Sequence, residues 1–192
     1  MDAVHQHFFI SDPTGGSVVV TDYGGQVVGQ ITSEPGAAGL ALSYDSGTLY
    51  VALPNADAIS AIDTSALAET ARYKTGPGTA PLHPAVAGGK VWFGYGTATQ
   101  GNIGSLDLSG ADPVVTLGQE GSSHGFYSAP LLASSPADPG ELVAGVEGQS
   151  PVELQVYDVS SGTAASKAYA WDRAATPAIS WTWPSRRTTR TS

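Results

Sequence analysis

Residues 39–63 read GLALSYDSGTLYVALPNADAISAID, and this stretch decides the fold. From Leu40 to Tyr44, apolar residues alternate with small or polar ones, which is the period of a strand with one buried face. Two turn-forming segments, 45–47 and 54–57, separate this run from two further runs of β-favouring residues. The pattern therefore predicts three antiparallel strands joined by tight turns.

A fourth segment, residues 68–73, has two interpretations. Ser65 could cap a short helix that runs to Glu69. Alternatively, the segment forms a fourth strand of the same sheet. We favour the strand, because other parts of the chain have β-favouring residues at the corresponding place.

The rest of the chain contains looser copies of the same unit. The copies align on an aspartate that closes the third strand, in VVVTDY, ISAIDT, IGSLDL and LQVYDV. These aspartates are Asp22, Asp63, Asp107 and Asp158, separated by 41, 44 and 51 residues. A four-strand unit of about 40–45 residues is the period of a β-propeller blade.

The sequence thus predicts an all-β fold, a partial β-propeller of about three and a half four-stranded antiparallel blades. The first unit lacks its first strand and begins with a predicted strand from Val4 to Ile10. Further predicted strands include residues 17–22 in this unit and residues 82–87 and 90–95 in the third unit. The predicted blades cover residues 1–31, 37–74, 80–117 and 128–172, followed by an irregular basic tail at 173–192.

The segment SYDSGTLYVA, followed by a strand that ends in Asp63, resembles the YVTN-type repeat of bacterial surface and periplasmic propellers. The resemblance covers residues 4–171 and is clearest in the second unit. It implies a non-catalytic module for binding or scaffolding in an exported or cell-surface protein. Related propellers also include lactonases, lyases and quinoprotein-type oxidoreductases with a site in the central channel, which is the alternative function.

About three and a half blades are too few to close a ring, because propellers have about four to eight blades. We therefore expect a fragment of a longer propeller, completed by its remaining blades or by a second copy. The tail 173–192 changes composition, which suggests either an out-of-frame translation or a solvated basic tail. A non-functional truncated product is a third possibility, since an open ring leaves unpaired edges.

Composition excludes several classes of protein. Charged residues make up 13% of the chain, and there are 24 glycines and 13 prolines, which suits short strands and many turns rather than helices. A net charge of −9 disfavours nucleic acid as a partner. The chain has no cysteine, and no apolar run is long enough for a membrane span. The N-terminal residues lack the pattern of a signal peptide.

The repeated aspartates allow two interpretations. They could form a ring of carboxylates around a cation, or each could accept backbone hydrogen bonds in its own turn. We favour the structural role, because a turn device recurs with every unit. His5 and His7 alternate on a predicted strand but have no third ligand, so we predict no metal site.

The best candidates for ligand contact are His83, His124 and Tyr127. The two histidines lie in or near segments that lead into the first strand of a unit, and such segments open near the channel of a propeller. Residues 118–128 form a long Gly- and Ser-rich loop suited to a small ligand. The alternative is an ordinary loop with packed aromatics.

No catalytic or cofactor motif is present. The glycine-rich turns are not followed by a helical pattern, and no nucleophile elbow or zinc-protease motif occurs. We therefore predict no cofactor and no catalytic residues, and expect an unidentified protein or small molecule as the partner.

Overall fold

The computed structural model describes residues 1–121, 125–148 and 152–170. These residues form fifteen strands, which hydrogen-bond into four separate antiparallel sheets. Sheet 1 has three strands, and sheets 2, 3 and 4 have four each. The prediction of an all-β fold is therefore confirmed.

The strands follow one another in each sheet in chain order. Sheet 1 contains β1 (His7–Asp12), β2 (Ser17–Asp22) and β3 (Val27–Thr32); sheet 2 contains β4 (Leu40–Leu42), β5 (Thr48–Leu53), β6 (Ala58–Asp63) and β7 (Ala68–Lys74); sheet 3 contains β8 (Leu82–Ala87), β9 (Lys90–Tyr95), β10 (Asn102–Asp107) and β11 (Val114–Thr116); sheet 4 contains β12 (Leu131–Ser135), β13 (Asp138–Val146), β14 (Glu153–Asp158) and β15 (Ala165–Ala170).

The sheets are arranged like a fan. The first strands of sheets 2, 3 and 4 are neighbours, since β4 packs on β8 and β8 packs on β12. Later strands of each sheet lie progressively further from this line of contact. Sheet 1 begins with a strand that corresponds to the second strand of the others, so the first unit lacks an innermost strand, as predicted.

The apolar core is divided into three clusters, each between consecutive sheets. Val18 and Ile62 belong to the cluster between sheets 1 and 2. Ile59 and Phe93 belong to the cluster between sheets 2 and 3. Trp92 is fully buried in the cluster between sheets 3 and 4. Each sheet thus buries at least one face against a neighbouring sheet, because one sheet alone has no core.

The segment with two interpretations is a strand. β7 begins at Ala68, and the residue before it, Leu67, has a φ of 52°, which a right-handed helix cannot contain. The backbone N–H groups of Ser65 and Ala66 both donate to Asp63 Oδ1. The aspartate thus holds a turn where a short helix was the alternative.

The first strand begins later than its sequence pattern predicts. We expected a strand from Val4 to Ile10, whereas β1 is His7–Asp12. The carboxylate of Asp2 accepts the backbone N–H of Val4 at 2.9 Å, and Gln6 has a φ of 59°. Local hydrogen bonding therefore folds residues 2–6 into a turn.

The predicted tail, residues 173–192, lies outside the described residues. Among the residues that the structure describes, no helix has the length and apolar character needed to cross a membrane.

Candidate functional site

The sheets have two distinct ends. We call the end at which β4, β8 and β12 begin the upper end. In sheets 2–4, the third strand runs parallel to the first, since each is antiparallel to the second. The turn aspartates, which close the third strands, therefore lie at the lower end, away from the segments that lead into the innermost strands.

His83 lies at the upper end in an unusual backbone conformation. It is the second residue of β8, and the pairing of β8 with β9 is irregular between Leu82 and Ala85. Its φ is 45°, a conformation that costs free energy in a residue with a side chain. A Cβ atom added to Gly39 would lie 2.7 Å from the backbone nitrogen of His83. The glycine thus lets sheet 2 approach the bulge closely.

The environment of His83 favours the neutral imidazole. The residue is half-buried, and this burial lowers the pKa of His83 below its usual value of 6.5. The negative charge of Glu147, an exposed residue at the end of β13, opposes the shift without cancelling it. At neutral pH the imidazole can therefore donate one hydrogen bond and accept another.

The aromatic residues of the long loop have different surroundings. Phe126 is buried in the core between sheets 3 and 4 and forms an isolated bridge with Gly101. Tyr127 exposes its ring, while its backbone carbonyl accepts the N–H of Thr99. His124 lies outside the described residues. The backbone at Phe126 and Tyr127 is therefore anchored, and the Tyr127 side chain remains accessible at the upper end.

The structure thus places His83 and Tyr127 at the same end, beside the first strands of adjacent sheets. Within the described part of the chain, the two side chains share no hydrogen bond or ring contact. Together with the Glu147 carboxylate they offer an aromatic surface, a neutral imidazole and an anion. Sequence reasoning missed Glu147, since a single glutamate after a strand has no motif.

The four repeated aspartates each accept hydrogen bonds within their own turns. The backbone donors lie 2.7–2.9 Å from the Oδ1 atoms, as follows: Gln26 to Asp22, Ser65 and Ala66 to Asp63, Ser109 to Asp107, and Ser160 to Asp158. In three of the four turns, a serine hydroxyl two residues later also donates. Each of these carboxylates is therefore hydrogen-bonded within its own turn.

In three of these turns, hydrogen bonds lower the pKa of the aspartate, namely Asp63, Asp107 and Asp158. The hydroxyl and backbone N–H of Ser109 lower the pKa of Asp107 to about 2, and Lys90 Nζ lies 3.3 Å from its Oδ2. The hydroxyl and N–H of Ser160 likewise lower the pKa of Asp158. No group of three or more potential metal ligands occurs among the described residues.

The N-terminal histidines are arranged differently from the sequence prediction. His5 precedes β1 rather than lying on it, and its Nδ1 lies 2.7 Å from the buried Asp2 carboxylate. Its ring stacks on that of His7, with centroids 6.2 Å apart. Of the ring nitrogens of His5 and His7, the Nδ1 atom of His5 is thus already in contact with the Asp2 carboxylate.

A buried polar network between sheets 3 and 4 was not predicted. The Tyr157 hydroxyl lies 3.1 Å from Glu120 Oε1 and 2.7 Å from Gln155 Oε1, and all three residues are buried. Burial, together with the Glu120 charge, raises the pKa of Tyr157 far above its usual range. The network joins the loop after β11 to the third strand of the next sheet, so its role is structural.

A second polar cluster lies between sheets 1 and 2, where Glu34 and Ser60 are buried and Glu69 and Arg72 are partly exposed. Ser60 Oγ is within hydrogen-bond distance of both Glu34 Oε1 and Glu69 Oε1. Arg72 Nε donates to Glu69 Oε1 at 2.6 Å, and its Nη2 lies 3.6 Å from Glu34 Oε1. Burial, and then the charge of Glu69, raise the pKa of Glu34. The sequence did not indicate this cluster, because Glu34 is a single glutamate before a Pro-Gly turn and belongs to no motif.

The chain resembles solved structures of two known proteins. No known protein family and no curated sequence matches the chain. Solved structures do match. Hydrazine synthase of Kuenenia stuttgartiensis is 21% identical with a TM-score of 0.67, and streptogramin B lyase is 14% identical with a TM-score of 0.64. Both are β-propeller folds.

The fold is a partial β-propeller. The matches cover 85% and 92% of this chain, but only 45% and 54% of the respective structures. The chain therefore spans about half the length of these propellers. At such low identity the likeness establishes the fold and no activity.

Proposed function

We propose that this propeller module binds a small ligand at its upper end, and that the ligand carries both an aromatic ring and a positive charge. The observation that carries the proposal is the conformation of His83. A non-glycine residue at a φ of 45° within an irregular strand pairing is strained, and strained residues cluster at functional sites. A half-buried neutral imidazole held this way is pre-organised for hydrogen bonding.

The neighbouring groups favour the class of ligand. The exposed Tyr127 ring offers a face on which an aromatic ring or a cation can stack. The exposed Glu147 carboxylate and the overall charge of −9 attract cations and repel anions. An aromatic amine can hydrogen-bond to His83, stack on Tyr127 and pair with the Glu147 carboxylate. An aromatic carboxylate would instead be repelled by Glu147.

The experiment compares tryptamine with indole-3-acetate, which share a ring system but differ in charge. Titration monitored by NMR should shift the His83 imidazole and Tyr127 ring signals with tryptamine, and much less with the acid. His83→Asn, which tolerates the left-handed backbone, should keep the fold and lose these shifts. Equal responses to both probes, or shifts confined to the lower end, would contradict the proposal.

A second candidate is catalysis at the same place. The pKa of His83 lies below its usual value, so the imidazole is free to accept a proton at neutral pH. Mass spectrometry of a bound amine after prolonged incubation separates the two candidates. Recovery of unchanged tryptamine supports a binding module. A product that forms with the wild-type chain but not with His83→Asn supports an enzyme.

We also propose that the repeat is of the YVTN type and that the protein is exported. The second unit supports the assignment, because Asp45 accepts the backbone N–H of Gly47 at 3.0 Å in the turn of SYDSGTLYVA. Fractionation of the source cells, followed by detection with an antibody against this chain, tests the export. Recovery only in the cytoplasmic fraction would argue against it.

A further inference from the structure

The two terminal sheets each have one face that no other described sheet covers. On sheet 1, Phe8, Ile10 and Val28 are 38%, 50% and 48% exposed. On sheet 4, an open depression of about 470 Å³ is lined by mostly apolar residues that include Val143 and Leu154. Apolar faces of this extent in a soluble chain mark a surface that another protein covers.

The repeat shows what kind of surface belongs on sheet 4. In the third strand of each unit, the residue four positions before the turn aspartate faces the next sheet. Val18, Ile59 and Ile103 occupy this position in sheets 1–3, and all are fully buried against the following sheet. Leu154 is its counterpart in sheet 4 and is 39% exposed. The face of sheet 4 is therefore built to receive a following sheet.

The same alignment defines the uncovered face of sheet 1. The residue immediately before the turn aspartate faces the preceding sheet. Ile62, Leu106 and Tyr157 occupy this position in sheets 2–4 and are fully buried. Its counterpart in sheet 1 is Thr21, which is polar and buried and pairs with the exposed Phe8 of β1. This face of sheet 1 therefore corresponds to the one that packs against a preceding sheet in sheets 2–4, with Phe8 as its exposed apolar residue.

We propose that the uncovered face of sheet 4 in one copy packs against the uncovered face of sheet 1 in a second copy. The two faces are of complementary kinds, and both occur on this chain. In a two-fold dimer the contact forms twice, which closes a ring of twice four sheets. The chain spans about half the length of the propellers it resembles, so two copies match the size of one such ring.

Four acidic residues, Asp138, Glu141, Glu147 and Glu153, border two depressions on the uncovered face of sheet 4. Glu141 borders the second of these depressions. Its Oε2 lies 2.7 Å from Lys167 Nζ, so the carboxylate is already paired within the sheet. The inference rests on the sheet faces rather than on the loops, and of the upper-end groups Glu147 also borders the first depression.

The test measures mass by light scattering after size-exclusion chromatography. The wild-type chain should have twice the mass of a 19.5 kDa monomer. Ile10→Lys and Leu154→Lys should each weaken the dimer by roughly thirtyfold or more, since each places a charge in an apolar contact. Val114→Lys, which changes an exposed apolar residue on the outermost strand of sheet 3, should leave the dimer intact. Circular dichroism confirms that each variant is folded.

Mixing the two monomeric variants gives the decisive result. The Ile10→Lys chain keeps a native face on sheet 4, and the Leu154→Lys chain keeps a native face on sheet 1. The mixture should therefore form a dimer through one intact contact, at concentrations at which each variant alone is monomeric. A wild-type monomer at all concentrations would overturn the proposal and assign the faces to blades outside these residues. Open-ended oligomers, or a mixture that stays monomeric, would also overturn it.

Discussion

Ser60 Oγ lies 3.1 Å from Glu34 Oε1, and this contact joins the loop after the outermost strand of sheet 1 to the third strand of sheet 2. A hydroxyl has one proton, yet Glu69 Oε1 lies 3.0 Å from the same oxygen. The two carboxylates therefore compete for one donor unless one of them is protonated. The raised pKa of Glu34 is consistent with a shared proton.

A related contact occurs between sheets 3 and 4. Gln155 precedes its turn aspartate by three residues, as Ser60 does, and it shares the Tyr157 hydroxyl with Glu120. In both places a glutamate that follows the outermost strand of one sheet reaches the third strand of the next. Such contacts fix the relative position of consecutive sheets, because a buried carboxylate needs a defined partner.

Replacement of Glu34 by Gln should reduce the loss of stability as pH rises. The pKa of Glu34 is raised in the folded state, so the folded chain binds this proton more tightly than the unfolded chain. The contribution of Glu34 to the free energy of unfolding is therefore full at pH values below 4.5, the ordinary pKa of a glutamate. This contribution is lost as the pH rises through the higher folded-state pKa. Urea unfolding of the wild type and of Glu34→Gln, from below pH 4.5 up to neutral pH, measures this difference in the free energy of unfolding. A wild-type stability that rises relative to Glu34→Gln over this interval would contradict the account.

Removal of the Tyr157 hydroxyl should destabilise the contact between sheets 3 and 4. Tyr157→Phe keeps the ring in the core but loses its buried hydrogen bonds, which should cost about 1–3 kcal/mol. Tyr127→Phe is the matched control, because Tyr127 is exposed and its change should stay within about 0.5 kcal/mol. Equal effects on the free energy of unfolding would show that the network contributes nothing.

Gly94→Ala tests the close approach of sheet 3 to the start of sheet 4. A Cβ atom on Gly94 would lie 2.1 Å from the carbonyl oxygen of Pro130, so the backbone must shift. We expect a loss of about 1–3 kcal/mol or more. In Gly110→Ala the nearest atom would be 3.6 Å away, and thermal unfolding should change little. A Gly94→Ala protein as stable as the wild type would mean that these sheets are further apart.

Separate cores predict additive effects. Ile62→Val lies between sheets 1 and 2, and Ile103→Val lies between sheets 3 and 4. Each should cost about 0.5–1.5 kcal/mol, and the double variant should equal their sum within about 0.5 kcal/mol. Val146→Ala shares a cluster with Ile103, so that pair should couple. Strong coupling between Ile62 and Ile103 would indicate one continuous core instead.

The strands could be predicted because their signals are local. The pattern fixed β2, β8 and β9 at residues 17–22, 82–87 and 90–95, which are their observed bounds. Alternating apolar residues and turn-forming glycines or aspartates lie within each hairpin itself. The start of β1 was missed, because the carboxylate of Asp2 organises a turn that no periodicity reveals.

The site was less predictable, because it depends on contacts between sheets. The sequence indicated His83 and Tyr127 through their place before inner strands. It could not show the left-handed backbone of His83, which depends on the irregular pairing of β8 with β9. The burial of Glu34 and Glu120 likewise depends on the neighbouring sheet, and each is an ordinary surface residue by its local sequence.

The most direct test of the radiating arrangement is the nuclear Overhauser effect between Gly39 Hα and Pro84 Hδ. A Cβ atom on Gly39 would lie 2.6 Å from Pro84 Cδ, which requires the innermost strands of sheets 2 and 3 to be in contact. We predict a strong cross-peak between these protons. Its absence, with Gly39 showing contacts only to its own sheet, would contradict a fan of sheets around a shared axis.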